Sequence, residues 1–489
     1  MNHLSKHFCL VSRFTTLQTR CFAMSSHSSS GQRKSATPKS PSSSSKSTTS
    51  SSSSSSTGPA FFPPIILGGA TREQIEACPF YAPSPPEPHS TLDQPYSPPD
   101  PIWYNSRRDG PPDLNVPGGN HSVNIGDQFH DNRYKVVRKL GWGSFSTVWL
   151  AHDQQLNRHV ALKIVKSAKD FTDTAELEIK LHQRVSSANP DHLGYHHMAI
   201  LLDHFKHEGP NGSHVCMVFE ALGENLAGLN SRLGNGGIPQ SVIRDVGRQI
   251  LLGLDYLHRE CGITHTGIKP EHILICIEDI EKLIRSELEK QHNTKTTAPI
   301  CTPQLQSFSA SSRTSHSKED HSPIMVKIAD LGDAAWSLSH HLTNRIQTRQ
   351  YRSPEVIVGV PWNQRIDMWS VGCLFFELLT GNYLFHSPED SDHVDQIHLM
   401  QIIDLVGPFP LEMALSGRYT HGIAHEIASY NYKQAMSCQE WNLEIMMSFY
   451  GFDKSIIQCL YRMLQIDPSK RCEAKEILDD KKCWLGAEK

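Results

Sequence analysis

The chain begins without acid. Residues 1–72 hold eight Lys or Arg and no Asp or Glu, so of a formal net charge of −4 over 489 residues the remainder carries −12. A mildly acidic remainder gives no ground for a nucleic-acid surface and favours basic partners. Apolar residues are nearly missing from 25–57, which is mostly Ser with Lys, Thr and Pro. Such a stretch cannot bury enough surface to offset its ordering entropy. Residues 81–117 are rich in Pro, which disfavours helix and interior strand alike. No run approaches the ~18 apolar residues of a membrane helix, and Phe61–Leu67 is broken by Pro63 and Pro64. The 12 cysteines form no CxxC pair. Cys216, Cys373 and Cys459 sit in apolar runs, as expected of reduced intracellular thiols rather than a metal finger. His192, His196 and His197, and His340 with His341, have no companion Cys or Glu motif. They read as surface or loop histidines in preference to zinc ligands. The first 24 residues, with Lys6, Arg13, Arg20 and hydroxyl side chains, have the composition of a mitochondrial presequence. A basic tail, or initiation at Met24, are the alternatives.

Patterned sequence runs from about Val123 to Leu485, enough for one large two-lobed domain. Tyr134–Leu140 has strand character and leads into GWGSFSTVWL. Gly141 and Gly143 between two strands suit a hairpin lid over phosphates, because a missing Cβ lets backbone N–H groups approach an anion. Tight hairpins without a ligand carry the same spacing. Val160-Ala161-Leu162-Lys163 follows, and a lysine closing an apolar strand is costly unless paired. The segment TAELEIKLHQRV has helical spacing, with Leu177, Leu181 and Val185 on one stripe. It offers Glu178 as the partner for Lys163, against the alternative of a snorkelling surface lysine. His214–Phe219 reads as a buried strand. Ile243–His258 reads as a helix striped by Val246, Ile250, Leu254 and Leu257. Beyond it come HTGIKPEHIL, then KIADLGDAAW, then TRQYRSPEV.

In this order the motifs resemble the serine/arginine-rich protein kinase family. KLGWGSFSTVWL, CMVFEALG, the skeleton IxHTxIKPExIL, the Asp330-Leu331-Gly332 element and IQTRQYRSPEV carry the likeness, which spans roughly residues 118–486. The resemblance implies an α+β, two-lobed kinase fold with a disordered N-terminal region at 1–117. A small β-rich N-lobe would occupy 118–223 and a larger helical C-lobe 224–486, with a low-complexity insert at 279–322. It implies ATP and Mg as cofactors, and Arg/Ser-rich proteins such as splicing factors as partners, in the cytoplasm or nucleus. Leu140, Gly141, Trp142, Gly143, Ser144, Val148, Ala161, Lys163, Glu220 and Leu222 would line the nucleotide. Phe219 would guard the pocket behind it. Lys163, Glu178, Lys269 and Asp330 would serve transfer, with Asp330 on the metal. Asp367 would hold the catalytic loop, and Glu355 of the Pro354-Glu355 pair would meet Arg471. Glu389, Asp390, Asp392, Asp395 and Trp441 would dock basic repeats; a solvated helix start explains the acids equally well.

Two positions depart from the family. The base that accepts the substrate hydroxyl proton is replaced by Gly267, and the Asn that holds a second magnesium ion by His272. Loss of a positioned base costs about 10² to 10⁴ in rate, and imidazole is a poor ligand for a hard cation. Thr266 is the family's own residue and implies a loop that needs no activating phosphorylation. The sequence therefore supports a nucleotide-binding pseudokinase first. An active Ser/Thr kinase with a substitute base, Asp333 or water, comes second.

Overall fold

The computed structural model describes residues 116–486 apart from 235, 294–323, 338–345, 387–392, 421–423 and 437–441. These all belong to the compact unit Arg107–Lys489. The Ser- and Pro-rich stretch, the basic N-terminus, most of the insert and the residues Glu389, Asp390, Asp392, Trp441, His340 and His341 lie outside the described residues.

Six antiparallel strands form the first lobe. β1 (Gln128–Phe129), β2 (Tyr134–Trp142), β3 (Ser146–Asp153), β4 (Arg158–Val165), β5 (Leu201–Gly209) and β6 (Gly212–Glu220) are ordered β1-β2-β3-β4-β6-β5. One face closes on Phe129, Tyr134, Val136, Trp149, Val160, Leu162 and Cys216. The other packs against the helix α1 (Lys169–Ser187) through Val165, Val215, Met217, Ala175 and Ile179. In β4 the buried Leu162 and Ile164 alternate with the half-buried Ala161 and Lys163, so Lys163 projects toward the α1 side. The chain just before β1 is strapped onto this lobe by Gly118 N donating to Asn211 O (3.0 Å) and Ala168 N donating to Gly118 O (3.1 Å).

The α1 stripe differs from the one read in the sequence. Leu177 is 38% exposed, and the buried face is Ala175, Glu178, Ile179, Leu181, His182 and Val185. Steps of four residues drift about 40° around a helix of 3.6 residues per turn. Leu177 has thereby rotated out of the face that Glu178 enters.

The second lobe is helical. After β6 come α2 (Leu226–Arg232) and α3 (Gln240–Asp255), which ends in a wider π-type turn at Tyr256–Cys261. Two short antiparallel pairs follow: β7 (Ile263–Thr264) with β10 (Ala335–Trp336), and β8 (Ile273–Ile275) with β9 (Val326–Ile328). They bracket the catalytic-loop segment and the Asp330 turn. The helix α4 (Ile280–Asn293) covers the first lobe with Ile284 against Leu150. α5 (Pro354–Val358), the almost wholly buried α6 (Arg365–Thr380) and α7 (Val394–Val406) build the core below the site.

Within α7, His398 is fully buried and neither ring nitrogen has a hydrogen-bond partner. Burial, reinforced by Arg349 and Arg352, pushes its pKa down to about 3. The unfolded chain takes up that proton near 6.5 and the folded chain does not, so stability is lost as pH falls below 6.5. His398→Leu is expected to melt no lower than the wild type at pH 7. Its advantage should then widen by about 1.4 kcal/mol per pH unit below 6.5. Thermal unfolding of both proteins between pH 7 and 5 measures this, and parallel profiles would refute it.

Candidate active site

The hairpin of β2 and β3 forms the roof. Trp142 pairs with Thr147 and Gly141 with Val148, and the turn closes with Gly143 N donating to Ser146 O (2.9 Å). Leu140, Trp142, Ser144 and Phe145 are exposed, while Val148 and Ala161 are half-buried beneath. A Cβ built on Gly141 or Gly143 would meet nothing within 4 Å, and neither residue has a positive φ. The fold itself therefore does not demand glycine there. A ligand approaching the backbone would.

Lys163 lies across the cleft floor. Its Nζ donates to Glu178 Oε1 (2.7 Å) and Oε2 (2.9 Å) and to Asp330 Oδ1 (3.1 Å). Burial disfavours charge on Lys163, but Asp330 and Glu178 outweigh it and its pKa lies above the ordinary value. The Lys163 ammonium in turn holds Asp330 well below the usual carboxylate range. Burial pushes Glu178 up while Lys163 pulls it back. The paired charge that the strand's apolar run required is thus present. Behind the pair, His182 stacks edge-on with Phe219 at 4.9 Å, and burial pushes its pKa down to about 3. The Glu220 carboxylate turns away from the cleft to Lys327 Nζ (2.6 Å) and Ile200 N (3.0 Å), which fixes the strand end leading into Ala221 and Leu222. Leu222 is half-buried at that crossing between the lobes.

The loop at Gly267 is rigidly held. Asp367, fully buried on α6, accepts from His265 N (2.8 Å) and Thr266 N (2.8 Å) and is paired with His258 Nε2 (2.8 Å). Thr266 takes a left-handed φ of 61° and its hydroxyl donates to Asp333 O (2.7 Å). Asp330 is also left-handed, at φ 64°. Such a φ is uncommon for a non-glycine residue and persists only where neighbours over-determine it. Here Asp330 is over-determined by the bonds from Lys163 and Gly332 N (3.3 Å). Lys269 is half-buried on extended backbone and Asp333 is exposed.

His272 lies between the Gly267 carbonyl and the Asp330 carboxylate. Its Nδ1 is 2.8 Å from Gly267 O, and its Nε2 is 3.2 Å from Asp330 Oδ2. A carbonyl only accepts, so Nδ1 carries the proton. Burial pushes the ring down to about 3, against the pull of Asp330.

The acids expected to dock basic segments fare differently. Asp395 is not a free surface charge: Arg349 of the TRQYR segment meets it at 2.5 Å. Among the described residues, no group of three or more His, Cys, Asp and Glu could hold a metal ion. His192 and His197 are engaged instead by Asp255 and Val326 O. The described cysteines are free thiols, and no described helix is long and apolar enough to cross a membrane.

Three functional neighbours were missed in the sequence: His258, Lys327 and His182. Lys327 leaves a trace, as a charge inside the apolar strand VKI. The two histidines leave none, because helical spacing alone does not tell a buried imidazole from a surface one.

A glycine-lidded cleft between a six-stranded lobe and a helical lobe, floored by a Lys–Glu–Asp cluster, defines a protein kinase domain. The protein kinase domain family model matches residues 134–483. Protein kinase dsk1 of Schizosaccharomyces pombe is 37% identical over 446 residues, covering 73% of this chain and 81% of dsk1. Serine/threonine-protein kinase SRPK of Physarum polycephalum is 38% identical over 399 residues, 77% of this chain and 91% of that protein. SRSF protein kinase 3 of Homo sapiens is 32% identical over 515 residues, 76% of this chain and 89% of its own length. The crystal structure of a kinase domain, 23% identical, matches with a TM-score of 0.54 over 74% of this chain and 98% of that one, a likeness of fold. The chain belongs to the protein kinase family, in its SR-protein kinase branch.

Proposed function

We propose that this chain is a nucleotide-binding pseudokinase of the SR-protein kinase branch. It would bind ATP with one magnesium ion and present basic Arg/Ser-rich partners with a domain that transfers phosphate slowly or not at all. The observation that carries this reading is the side-chain-free Gly267 in a loop that Asp367 otherwise holds in place. Phosphoryl transfer forms a bond from the substrate hydroxyl oxygen to the γ-phosphorus and breaks the bond to the β-phosphate oxygen. The hydroxyl proton must go to a base. Gly267 offers none.

The rest of the site supports binding. The lid has open space at both glycines. Lys163 would meet the phosphates, Lys269 the terminal one, and the backbone from Glu220 to Leu222 an adenine edge. Asp330, ionised and 44% exposed, fits one magnesium ion. The second position does not fit magnesium, since an imidazole nitrogen is a poor replacement for an oxygen ligand of a hard cation. The alternative, an active Ser/Thr kinase with a substitute base, draws on the exposed Asp333, whose carbonyl is tied to Thr266.

Mg-ATP at saturating concentration is expected to raise the melting temperature by several degrees, as ~2.7 kcal/mol accrues at a hundredfold excess over Kd. Lys163→Met should abolish that shift. It should also lower the baseline, because Glu178, 3% exposed, loses its counter-charge. The shift and not the baseline is the readout. A wild type that ignores millimolar Mg-ATP would remove the nucleotide-binding reading.

A further inference from the structure

Two thiols outside the cleft stand in contact. Cys459 lies on the helix Lys454–Met463 and is 2% exposed, while Cys483 lies half-buried in the turn beyond Leu478. Their sulfurs are hydrogen-bonded at 3.0 Å, across 24 residues of sequence. A disulfide bond is about 2.05 Å long, so a shift of about 1 Å would join them. The backbone on both sides is pinned. Cys483 N donates to Asp480 O (2.9 Å) and Gly486 N to Cys483 O (2.9 Å). Arg462, on the same helix face as Cys459, donates to Asp480 Oδ2 (2.7 Å) and to Glu476 O (3.2 Å). From the other side α3 holds the turn, with Arg244 donating to Trp484 O (3.1 Å) and Arg248 to Leu485 O (3.5 Å). The two thiols are also unequal. The hydrogen bond from the Cys459 thiol pulls Cys483 down to about 7 against burial, with Leu485 N–H and Arg462 adding to the pull and Asp480 opposing it. The same bond, with burial, holds Cys459 above its ordinary range. Cys472, a third thiol nearby, is pushed up to about 12 by burial. Cys483 is thus the most exposed of the three and the one that carries thiolate, the reactive form, near neutral pH.

We propose that Cys483 is a peroxide-reactive thiol and Cys459 its resolving partner, and that the two form a reversible disulfide joining the turn to the helix Lys454–Met463. The Cys483 thiolate gives an electron pair to one oxygen of hydrogen peroxide. The S–O bond forms, the O–O bond breaks, and the departing hydroxide takes up the proton that the thiol released, leaving as water. The Cys459 sulfur then attacks the Cys483 sulfenic sulfur. The S–S bond forms, the S–O bond breaks, and a second water carries away the Cys459 proton. Two thiols are oxidised and one peroxide is reduced, and a small thiol or dithiol reverses the bond by exchange. The step uses no nucleotide, so it stands apart from the nucleotide-binding reading.

The test treats the reduced full chain with hydrogen peroxide at pH 7 and maps its tryptic peptides without reductant. The expected product is a bond between peptides 455–462 and 483–489, which dithiothreitol removes. Cys472 falls in a separate peptide, 472–475, and should stay out of the bond. In Cys459→Ser the Cys483 sulfenic acid has no resolving thiol and should accumulate, where dimedone traps it. In Cys483→Ser oxidation of Cys459 should slow by about tenfold or more, because the remaining thiol is buried and protonated. The wild-type map decides the matter even if a variant fails to fold. Peroxide that oxidises other thiols while Cys459 and Cys483 stay reduced would overturn the proposal. So would a bond from Cys483 to Cys472, or Cys459 oxidised at the wild-type rate in Cys483→Ser.

Discussion

Gly267→Asp combined with His272→Asn is expected to raise phosphate transfer to an Arg/Ser-repeat peptide by about 10² or more, the ordinary worth of a positioned base. The structure has room for the change. A Cβ on Gly267 would lie 3.5 Å from His265 Nδ1 and 3.6 Å from His272 Nδ1, ordinary van der Waals contact, and Gly267 needs no positive φ. The loop backbone is already fixed from below by Asp367, so an aspartate would enter a formed site and not have to build one. Asparagine at 272 can keep the bond to the Gly267 carbonyl through its amide N–H and would leave its oxygen as a donor for a magnesium ion held by Asp330. The single substitutions should gain less than the pair, because groups that act as one unit do not contribute additively. Initial rates of the four proteins with peptide and Mg-ATP give the comparison. A double variant that binds nucleotide yet stays inert would show that the damage reaches beyond these two positions.

Arg471→Met is expected to destabilise the domain by about 3–5 kcal/mol, the cost of leaving one partner of a buried ion pair behind. Arg471 and Glu355 are both fully buried, with guanidinium-to-carboxylate distances of 2.5 and 2.9 Å. The remaining N–H groups of Arg471 reach Gln465 O (2.9 Å), Arg365 O (3.0 Å) and Ile466 O (3.3 Å), and the guanidinium lies 5.2 Å from the Trp369 ring. All five donors of the fork are thereby used. A loss of this size is a large share of the ~5–15 kcal/mol that holds a domain together. Arg471→Lys should fail to restore stability, since a point charge cannot replace a planar fork. Arg471→Met with Glu355→Leu should recover part of it, because the stranded charge is gone. Denaturant unfolding of the three variants reads these differences. A single Met variant within 1 kcal/mol of the wild type, to order of magnitude, would contradict the argument.

Much of the site was legible before any coordinates. Lys163 could be paired with Glu178 because a lysine at the end of an apolar strand must find an acid, and a helix with acids at the right spacing followed. Asp367 and the Arg471–Glu355 pair were legible through the resemblance to the kinase family, whose motifs imply an Asp holding the catalytic loop and a late Arg meeting the Glu of Pro354-Glu355. Other features were not legible, and the reasons are physical. Leu177 looks like core by spacing, but four-residue steps drift, and the face is chosen by Glu178's need to reach Lys163. Asp395 looks like a surface acid until the TRQYR segment folds back and brings Arg349 to it. The left-handed φ of Thr266 and Asp330 goes with hydrogen bonds to residues distant in sequence, Asp333 and Lys163, which no local propensity encodes. His272 could be read as a lost ligand. That it spends its proton on Gly267 and points its other nitrogen at Asp330 follows from a turn geometry set by both residues at once.

The central claim is that nucleotide binding has outlived phosphate transfer. The most direct test is the rate at which wild-type protein, loaded with γ-labelled ATP and Mg²⁺ and confirmed to hold nucleotide in the same sample, labels an Arg/Ser-repeat peptide. The account predicts occupancy of the nucleotide site with transfer slower by about 10² or more than in the Gly267→Asp, His272→Asn variant. Brisk wild-type transfer that Asp330→Ala abolishes would contradict it and place a working base elsewhere in the cleft.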